Sequence, residues 1–371
     1  MKIVVAPDSW TGFLSSPEIA AAIAARLRED GHDVTEVPMA DGGVGTGEAL
    51  RRVGATAAPA MVTGPNGDKV LAATFDHDGT NFVEACQAVG VHLCEGDEGP
   101  LARSSRGLGE LLRRTAATKD GPIVVGLGGS ATMDGGLGFA MGLGLQAFDA
   151  DGEPLPTDAC AADLGRVARL QGSPPLRDRL VMGWADVYTP LLESAAIFGP
   201  QKGADAMAIA QVTMGLGRWA EVLGTWRAEN GLSPLPANRA FGGAAGGLGY
   251  ALAALLDAPL VAGAAAVARA VGLDDAMEGA DVVITGEGRV DASSFQGKVA
   301  GEVTQRARRH GAAVFVLAGA AVGELPPGPI GPDALLTGDT QEGDTRDDRL
   351  TAALDALAVR ISSVQEWRTD D

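Results

Sequence analysis

The 371-residue sequence predicts an α/β protein with parallel sheets, organised as two domains or as one domain with a large insertion. Short apolar runs are repeatedly followed by a polar loop with glycine and then by apolar residues at helical spacing. This alternation is typical of parallel α/β sheets. Hydrophobic residues make up 46% of the chain, which is enough to bury a large core. Ligands of such sheets bind beyond the carboxyl ends of the strands.

The first strand and helix show the pattern most clearly. Residues 2–6 form an apolar run that predicts a buried strand. Ser15-Ser16-Pro17-Glu18 is a capping-box sequence, and apolar residues then recur at helical spacing until Gly31 ends the helix. The strand–loop–helix order recurs at residues 122–126 with 138–145, and at residues 281–285 with 297–309.

A different pattern follows between residues 62 and 84. Gly64-Pro65-Asn66-Gly67-Asp68 supplies turn residues between two strand-like runs, which predicts a hairpin and therefore a mixed or antiparallel portion of sheet. Residues 201–223 and 250–256 are predicted helices. The acidic stretch 339–348 is predicted to be mobile.

Composition excludes several classes of protein. A net charge of −19 repels phosphate backbones and argues against nucleic-acid binding. No apolar run approaches the roughly 20 residues of a membrane span, and the first one is too short for a signal peptide, so we expect a cytoplasmic protein. Cys86, Cys94 and Cys160 are odd in number and far apart, which favours reduced thiols over disulfides or a zinc site.

Four segments combine glycine with carboxylates. Glycine brings backbone N–H groups close to a charged ligand, and carboxylates hold Mg²⁺ or accept a proton from a hydroxyl. The combination indicates phosphoryl transfer onto a small polar substrate. The four segments are residues 8–12, 41–45, 128–136 and 285–291.

The third segment has alternative interpretations. Gly126 to Ala131 fits the Gly-x-Gly-x-x-Gly/Ala dinucleotide pattern, so a nicotinamide-dependent oxidoreductase is one alternative. The loop is longer than that fingerprint requires, however, and no Gly-Lys-Ser/Thr closes it as in a P-loop. We therefore predict a phosphate or substrate site, with close packing as the other reading. Its backbone contacts are assigned to Gly128, Gly129, Ser130, Gly135 and Gly136.

Charged residues near these segments are the candidates for chemistry. Asp8 directly follows the first strand, where a carboxylate can act as general base or metal ligand. Asp41 has the same two readings, and both residues could instead stabilise turns. Asp186 ends another apolar run. The candidates for anion contact lie beside glycine in loop-like sequence, with a solvated surface charge as the alternative; they are Lys202, Arg289 and Lys298.

Taken in order along the chain, these segments resemble the class I glycerate kinases, which transfer phosphate from ATP to the 2-hydroxyl of glycerate. The resemblance spans nearly the whole chain, and six motifs in order make it specific. The motifs are Ala6-Pro7-Asp8-Ser9, Pro38 to Gly43, Gly128 to Thr132, Phe198 to Ala204, Gly243 to Gly249, and Ile284 to Asp291 with Gly297-Lys298.

The resemblance implies the domain organisation. It implies two α/β domains, with the active site in the cleft between them. One domain would be Rossmann- or flavodoxin-like and built from both chain ends, residues 1–75 and 265–371. The other would be an inserted α/β domain with glycine-rich loops, residues 76–264.

Several positions depart from the family pattern. Thr11 stands where the family has lysine, Val44 where it has glutamate, Met133 where it has asparagine, and Gln296 where it has histidine. Tyr188 or Thr189 replaces a further asparagine. Most changes exchange a polar or charged group for an apolar or smaller one, which indicates a pocket for a larger, less charged acceptor than glycerate.

The resulting hypothesis is an ATP- and Mg²⁺-dependent kinase acting on glycerate or a related small hydroxy acid or alcohol. Asp8 and Asp186 are predicted to serve as base and metal ligands, with Asp41 and Asp291 as supporting catalytic carboxylates. No nucleic acid or membrane partner is expected, and a homodimer is compatible with the sequence. The main alternative is a catalytically impaired homologue that binds a metabolite as an accessory protein.

Overall fold

The structure is a computed structural model that describes residues 1–10, 13–94, 96, 99–173, 175–323, 325–326, 328, 331–337 and 345–369. It divides into two compact units. The first comprises Met1–Asp41, Glu48–Val53 and Gly263–Asp371, and the second comprises Gly42–Gly47 and Gly54–Ala262. The predicted α/β fold class with parallel sheets is confirmed.

The secondary structure alternates along most of the chain. The strands are β1 Lys2–Val5, β2 Asp33–Glu36, β3 Thr56–Thr63, β4 Lys69–His77, β5 Thr80–Glu84, β6 Ile123–Gly126, β7 Gln146–Phe148, β8 Arg169–Gln171, β9 Val181–Ala185, β10 Leu260–Ala262, β11 Val282–Val290, β12 Ala313–Ala321 and β13 Ala334–Thr337. The α-helices are α1 Ser16–Glu29, α2 Thr46–Arg52, α3 Ala85–Val89, α4 Arg106–Thr118, α5 Leu137–Gly142, α6 Ser194–Phe198, α7 Ala206–Glu229, α8 Leu248–Leu256, α9 Gly263–Ala270, α10 Leu273–Met277, α11 Val299–Arg309 and α12 Arg346–Thr369.

The first unit is built on a five-stranded parallel sheet of order β13-β12-β11-β1-β2. Its central strands come from opposite ends of the chain, with Val5 in register with Ile284. The side chains of Ile3, Ile19 and Phe315 are buried in its core. Apolar runs without alternation therefore became strands that are buried by helices, as parallel sheets require.

The first predicted helix is confirmed in detail. Glu18 accepts hydrogen bonds from the Ser15 backbone N–H at 2.8 Å and from the Ser15 hydroxyl at 2.7 Å. The capping box is complete, and Gly31 follows the helix with a φ of +80°. Because local hydrogen bonds define both ends, this helix could be read directly from the sequence.

The prediction that a loop begins after residue 285 is wrong. β11 continues through Gly286 and Gly288 to Val290, in parallel register with β12 up to the pair Val290 and Ala321. A β-carbon on Gly286 would lie 1.9 Å from the Leu317 carbonyl oxygen. Glycine therefore serves here to let two strands approach closely, rather than to form a flexible loop.

The second unit contains a six-stranded sheet of order β10-β9-β6-β5-β4-β3. The first four strands are parallel, whereas β4 is antiparallel to both β3 and β5. The predicted hairpin is confirmed: the Gly64 N–H donates to the Asp68 carbonyl at 2.7 Å, and Gly67 has a φ of +89°. This unit also holds the short antiparallel pair β7-β8.

The strands β3 and β4 belong to the sheet of the second compact unit. The domain ranges 1–75 with 265–371 and 76–264 stay a prediction. The turn sequence specified the hairpin but not the neighbour of β4, which is β5. Among the described residues, no helix has both the length and the apolar character needed to cross a membrane.

Candidate functional site

Several predicted residues gather at the carboxyl edge of the second sheet. β5, β6 and β9 are adjacent and parallel, with Glu84 in register with Gly126 and Gly126 in register with Trp184. We call residues 127–136, which follow β6, the glycine loop. Asp186 follows β9. The Leu127 N–H donates to the Trp184 carbonyl at 2.9 Å. The loop and Asp186 therefore start from neighbouring strand ends.

The glycine loop is held by its surroundings. The Ala131 N–H donates to Val89 at 2.8 Å, and the Gly129 carbonyl accepts from the Val91 N–H at 3.1 Å. The Trp219 indole N–H donates to the Gly135 carbonyl at 2.9 Å. These hydrogen bonds to the loop backbone restrict its conformational freedom, so the loop is ordered despite its glycines.

Asp134 organises the far end of the loop from a fully buried position. Its Oδ2 accepts hydrogen bonds from the Ser105 backbone N–H at 2.8 Å, the Ser105 hydroxyl at 2.7 Å and the Gly138 N–H at 3.0 Å. Its Oδ1 accepts from the Gly136 N–H at 3.1 Å. Burial raises the pKa of Asp134, although these donors act in the opposite direction. The carboxylate thus joins the loop to the start of α4.

Two buried cations contact the loop carbonyls. The Lys202 ammonium, with only 7% of the residue exposed, donates to the Thr132 carbonyl at 2.8 Å. Arg103 is equally buried and reaches the Ala131 carbonyl at 3.4 Å and the Lys202 carbonyl at 3.1 Å. Burial lowers the pKa of Lys202 to about 7. The structure places Lys202 against the loop backbone, inside the protein.

The near end of the loop is open. Within the described part of the chain, the N–H groups of Gly128 and Gly129 have no hydrogen-bond partner. Gly129 has a φ of +73°, and a β-carbon there would lie 2.4 Å from a methyl group of Val44. Two unused backbone donors at a strand end are suited to an oxyanion.

Asp186 offers a carboxylate just after the neighbouring strand β9. The residue is half-buried, and its side chain makes no hydrogen bond or ion pair with any residue that the structure describes. A half-buried carboxylate without an internal partner is available to bind a ligand, a metal ion or a hydroxyl proton.

Glu84 was not singled out from the sequence. This buried side chain ends β5 and accepts hydrogen bonds from the Gly47 N–H at 2.8 Å and from the Gln87 amide at 2.9 Å. It thereby fixes residues 42–47, the segment that carries Val44, to the carboxyl edge of the second sheet. Its signal in the sequence was weak, because a glutamate at the end of an apolar run resembles an ordinary surface residue.

The first unit gathers carboxylates at the carboxyl edge of its own sheet. The Asp8 N–H donates to the Gly286 carbonyl at 2.8 Å, which extends the β1–β11 ladder and places Asp8 beside Glu287. The Glu287 Oε1 atom is buried and, among the described residues, has no hydrogen-bond partner. Burial raises the pKa of Glu287. The motif containing Glu287 was noticed from the sequence, but the residue was not assigned.

The remaining predicted residues of this unit have varied surroundings. Asp291 accepts hydrogen bonds from Ser293, which lower its pKa. Lys298 is half-buried at the start of α11, and Arg289 is exposed on β11. Asp41 is half-buried just before the second unit begins. Thr11 and residues 339–344 of the predicted mobile stretch lie outside the described residues.

A cavity of about 960 Å³ lies beside the hairpin turn of the second unit. Its lining carries both signs of charge, including Lys69, Arg106 and Asp158. Arg106 already donates to Glu110 at 2.9 Å and to the Thr157 carbonyl at 2.7 Å. The mixed and partly paired charges do not mark a phosphate site.

Whether the protein can bind a metal ion depends on which oxygen ligands its side chains offer. Among the described residues, no group of three His, Cys, Asp or Glu side chains could enclose a metal ion. Mg²⁺ commonly takes only one or two carboxylates and completes its shell with water and substrate phosphates. Single carboxylates such as Asp186 and Asp8, which lie in different units, fit that mode of binding.

Comparisons with known proteins identify the family of this chain. The model of the glycerate kinase family matches residues 3–326. Glycerate 2-kinase of Escherichia coli K12 is 38% identical over 331 residues, covering 86% of this chain and 85% of that protein. Glycerate kinase of Haemophilus influenzae is 36% identical over 333 residues, covering 86% of each. A solved structure from Salmonella typhimurium LT2, provisionally assigned as glycerate kinase 2, has a TM-score of 0.80, 32% identity and 99% coverage of both chains.

The family model, these relatives and the shared fold define a phosphotransferase with an alcohol group as acceptor. The nicotinamide-dependent alternative is therefore wrong. The chain belongs to the glycerate kinase family, as its motifs predicted.

Proposed function

We propose that the protein is an ATP-dependent kinase that phosphorylates a hydroxyl of glycerate or of a related small hydroxy acid or alcohol. One observation carries the proposal: the Gly128 and Gly129 N–H groups follow β6 and the Asp186 carboxylate follows the neighbouring strand β9, and none of these groups has a partner among the residues that the structure describes. Phosphoryl transfer needs both anion donors and a carboxylate near the attacking hydroxyl.

The glycine loop is assigned to phosphate. Gly128, Gly129 and Ser130 provide the near end of the loop, whereas Gly135 and Gly136 support its far end through the contacts of Gly135 with Trp219 and of Gly136 with Asp134. Backbone donors held in advance need no reorganisation when charge develops on a phosphoryl group. Lys298 and Arg289 remain proposed anion contacts in the first unit.

The carboxylates are assigned to the acceptor and the metal. Asp186 would accept the proton of the attacking hydroxyl or hold Mg²⁺, and Asp8 has the same two roles, with Asp41 and Asp291 in support. Mg²⁺, when bound, offsets the charge of the phosphates. Glu287 joins this group because its buried oxygen has no partner within the described chain and it lies beside Asp8.

The acceptor is proposed to be larger or less charged than glycerate. Val44 occupies the position where the family has glutamate; its side chain is 54% exposed and lies close to Gly129. The centroid of the Tyr188 ring lies 4.6 Å from that of the Phe241 ring. These groups favour apolar contact. Met133 is different, because it is buried in the core and its change affects packing of the loop rather than an exposed surface.

A coupled ADP-release assay tests the proposal. Glycerate, other hydroxy acids and amino alcohols would be offered with ATP and MgCl₂, and we expect turnover with at least one of them. Absence of turnover with every acceptor, combined with ATP binding by calorimetry, would overturn the kinase assignment and favour the metabolite-binding homologue. A cytoplasmic location and a homodimer belong to the same proposal; size-exclusion chromatography with light scattering tests the dimer.

A further inference from the structure

Four buried residues surround the inner side of the glycine loop, and we call Arg103, Ser105, Asp134 and Lys202 the loop clamp. We propose that the clamp positions the loop for nucleotide phosphate, and that Lys202 acts through the Thr132 carbonyl and does not touch phosphate itself. The inference rests on the proposed function and assigns a role to residues that make no direct contact with substrate.

The direction of the hydrogen bonds supports the proposal. Lys202 and Arg103 draw the carbonyl oxygens of Thr132 and Ala131 towards the protein interior. A carbonyl oxygen that faced a phosphate would repel it, whereas N–H groups attract it. Holding the carbonyls inward therefore leaves the electropositive side of the backbone for the ligand. A conventional phosphate-binding lysine would instead be at least partly exposed.

The clamp also joins distant parts of the chain. Arg103 and Ser105 precede α4, Lys202 lies in a 3₁₀ turn before α7, and Asp134 belongs to the loop itself. The Ser105 hydroxyl donates to Asp134 at 2.7 Å and accepts from the Phe139 N–H at 2.9 Å. The loop is consequently fixed against α4, α5 and the turn before α7. Removal of one member should loosen it without touching the Gly128 and Gly129 donors.

Two variants test the clamp, Lys202→Met and Ser105→Ala, with Arg114→Met as the control on an exposed part of α4. The first measurement is hydrogen exchange of backbone amides in residues 127–136 of the ligand-free protein. We expect exchange to increase by roughly tenfold in both variants and to be unchanged in the control. Unchanged exchange in Lys202→Met would overturn the positioning role, because a lysine that only contacts phosphate leaves the free loop unaltered.

The second measurement is steady-state kinetics with the best acceptor. We expect the KM for ATP to rise about tenfold in Lys202→Met and about threefold in Ser105→Ala, with the acceptor KM unchanged. A lowered kcat with unchanged KM for ATP, or a rise confined to the acceptor KM, would overturn the inference. If Lys202→Met does not fold, the hydrogen exchange and the KM for ATP of Ser105→Ala test the clamp in its place. Lack of turnover in the wild type would instead refute the proposed function, and the clamp assignment with it.

Discussion

Residues 128–136 and 285–291 look alike in sequence, yet one forms a loop and the other continues a strand. Both combine several glycines with carboxylates after an apolar run. The first segment surrounds the buried Asp134 carboxylate, which collects four N–H and O–H donors. The second pairs with β12 through residue 290. Local composition allowed both outcomes, and the neighbouring elements decided between them.

The difference shapes what each unit can offer a ligand. The loop of the second unit presents backbone N–H groups, and Asp186 follows the neighbouring strand β9. The sheet of the first unit presents carboxylates instead, with Asp8 just after β1 and Glu287 beside it within β11. Backbone donors and side-chain carboxylates thus come from two different backbone arrangements.

Asp186→Asn is expected to have the largest effect of the changes considered. Loss of the negative oxygen removes the proposed base or metal ligand, and we expect turnover to fall by about 10² to 10⁴-fold with the fold intact. Turnover and circular dichroism of the variant provide the measurement, with the exposed Asp178→Asn as the matched control. Wild-type turnover in Asp186→Asn would show that the loop works without this carboxylate.

Asp134→Asn tests whether the buried acceptor defines the loop. The amide replaces one accepting oxygen by a donor that faces other donors, so we expect the free energy of unfolding to fall by about 3 kcal/mol. Urea denaturation measures the change, again against Asp178→Asn. A loss below about 0.5 kcal/mol would mean that the loop holds its shape without Asp134.

Gly286→Ala tests the corresponding feature of the first unit. The new methyl group would lie 1.9 Å from the Leu317 carbonyl oxygen, so we expect a loss of about 2 kcal/mol in unfolding free energy. Gly224→Ala in α7 is the control, because no atom lies within 4 Å of its β-carbon position and helix propensity favours alanine there. Equal stability of the two variants would argue against close strand packing at Gly286.

The pH dependence of stability sharpens the role of burial at Lys202. Its pKa of about 7 in the folded protein lies below the ordinary lysine value of 10.5, so the unfolded chain binds more protons between these values. Stability from this group should therefore rise with pH from about 7 upwards, by up to about 1.4 kcal/mol per pH unit. This increase is measured by comparing the unfolding free energies of the wild type and Lys202→Met at pH 7, 8 and 9. A constant difference between the two proteins would contradict the shift.

Features of the fold that depend on short-range interactions could be predicted from the sequence. The α1 capping box and the Gly64–Asp68 turn depend on residues a few positions apart, and both were predicted correctly. The contact of Lys202 with the Thr132 carbonyl joins residues 70 positions apart and could not be predicted from the local sequence, which led us to predict an anion contact. A lysine beside glycine has the same local sequence pattern whether its side chain contacts a ligand or the protein backbone.

The missed residues have the same explanation. Arg103 and Ser105 lie in an unremarkable stretch before α4, and only folding brings them to the glycine loop. Glu287 was part of a noticed motif, but its importance arises from burial within the sheet. Strand-like and helical periodicity predicted the layers of the fold, whereas side-chain partners across the sheet required coordinates.

The pairing of β1 with β11 has a consequence for synthesis on the ribosome. Val5 and Ile284 are neighbours in the sheet although they are 279 positions apart in the sequence, so the first unit completes its sheet only after most of the chain has been made. The second unit closes largely within residues 54–262, and its strands are available earlier. Since domains form as their residues emerge, the nascent chain acquires the glycine loop before β1 and β11 bring Asp8 beside Glu287.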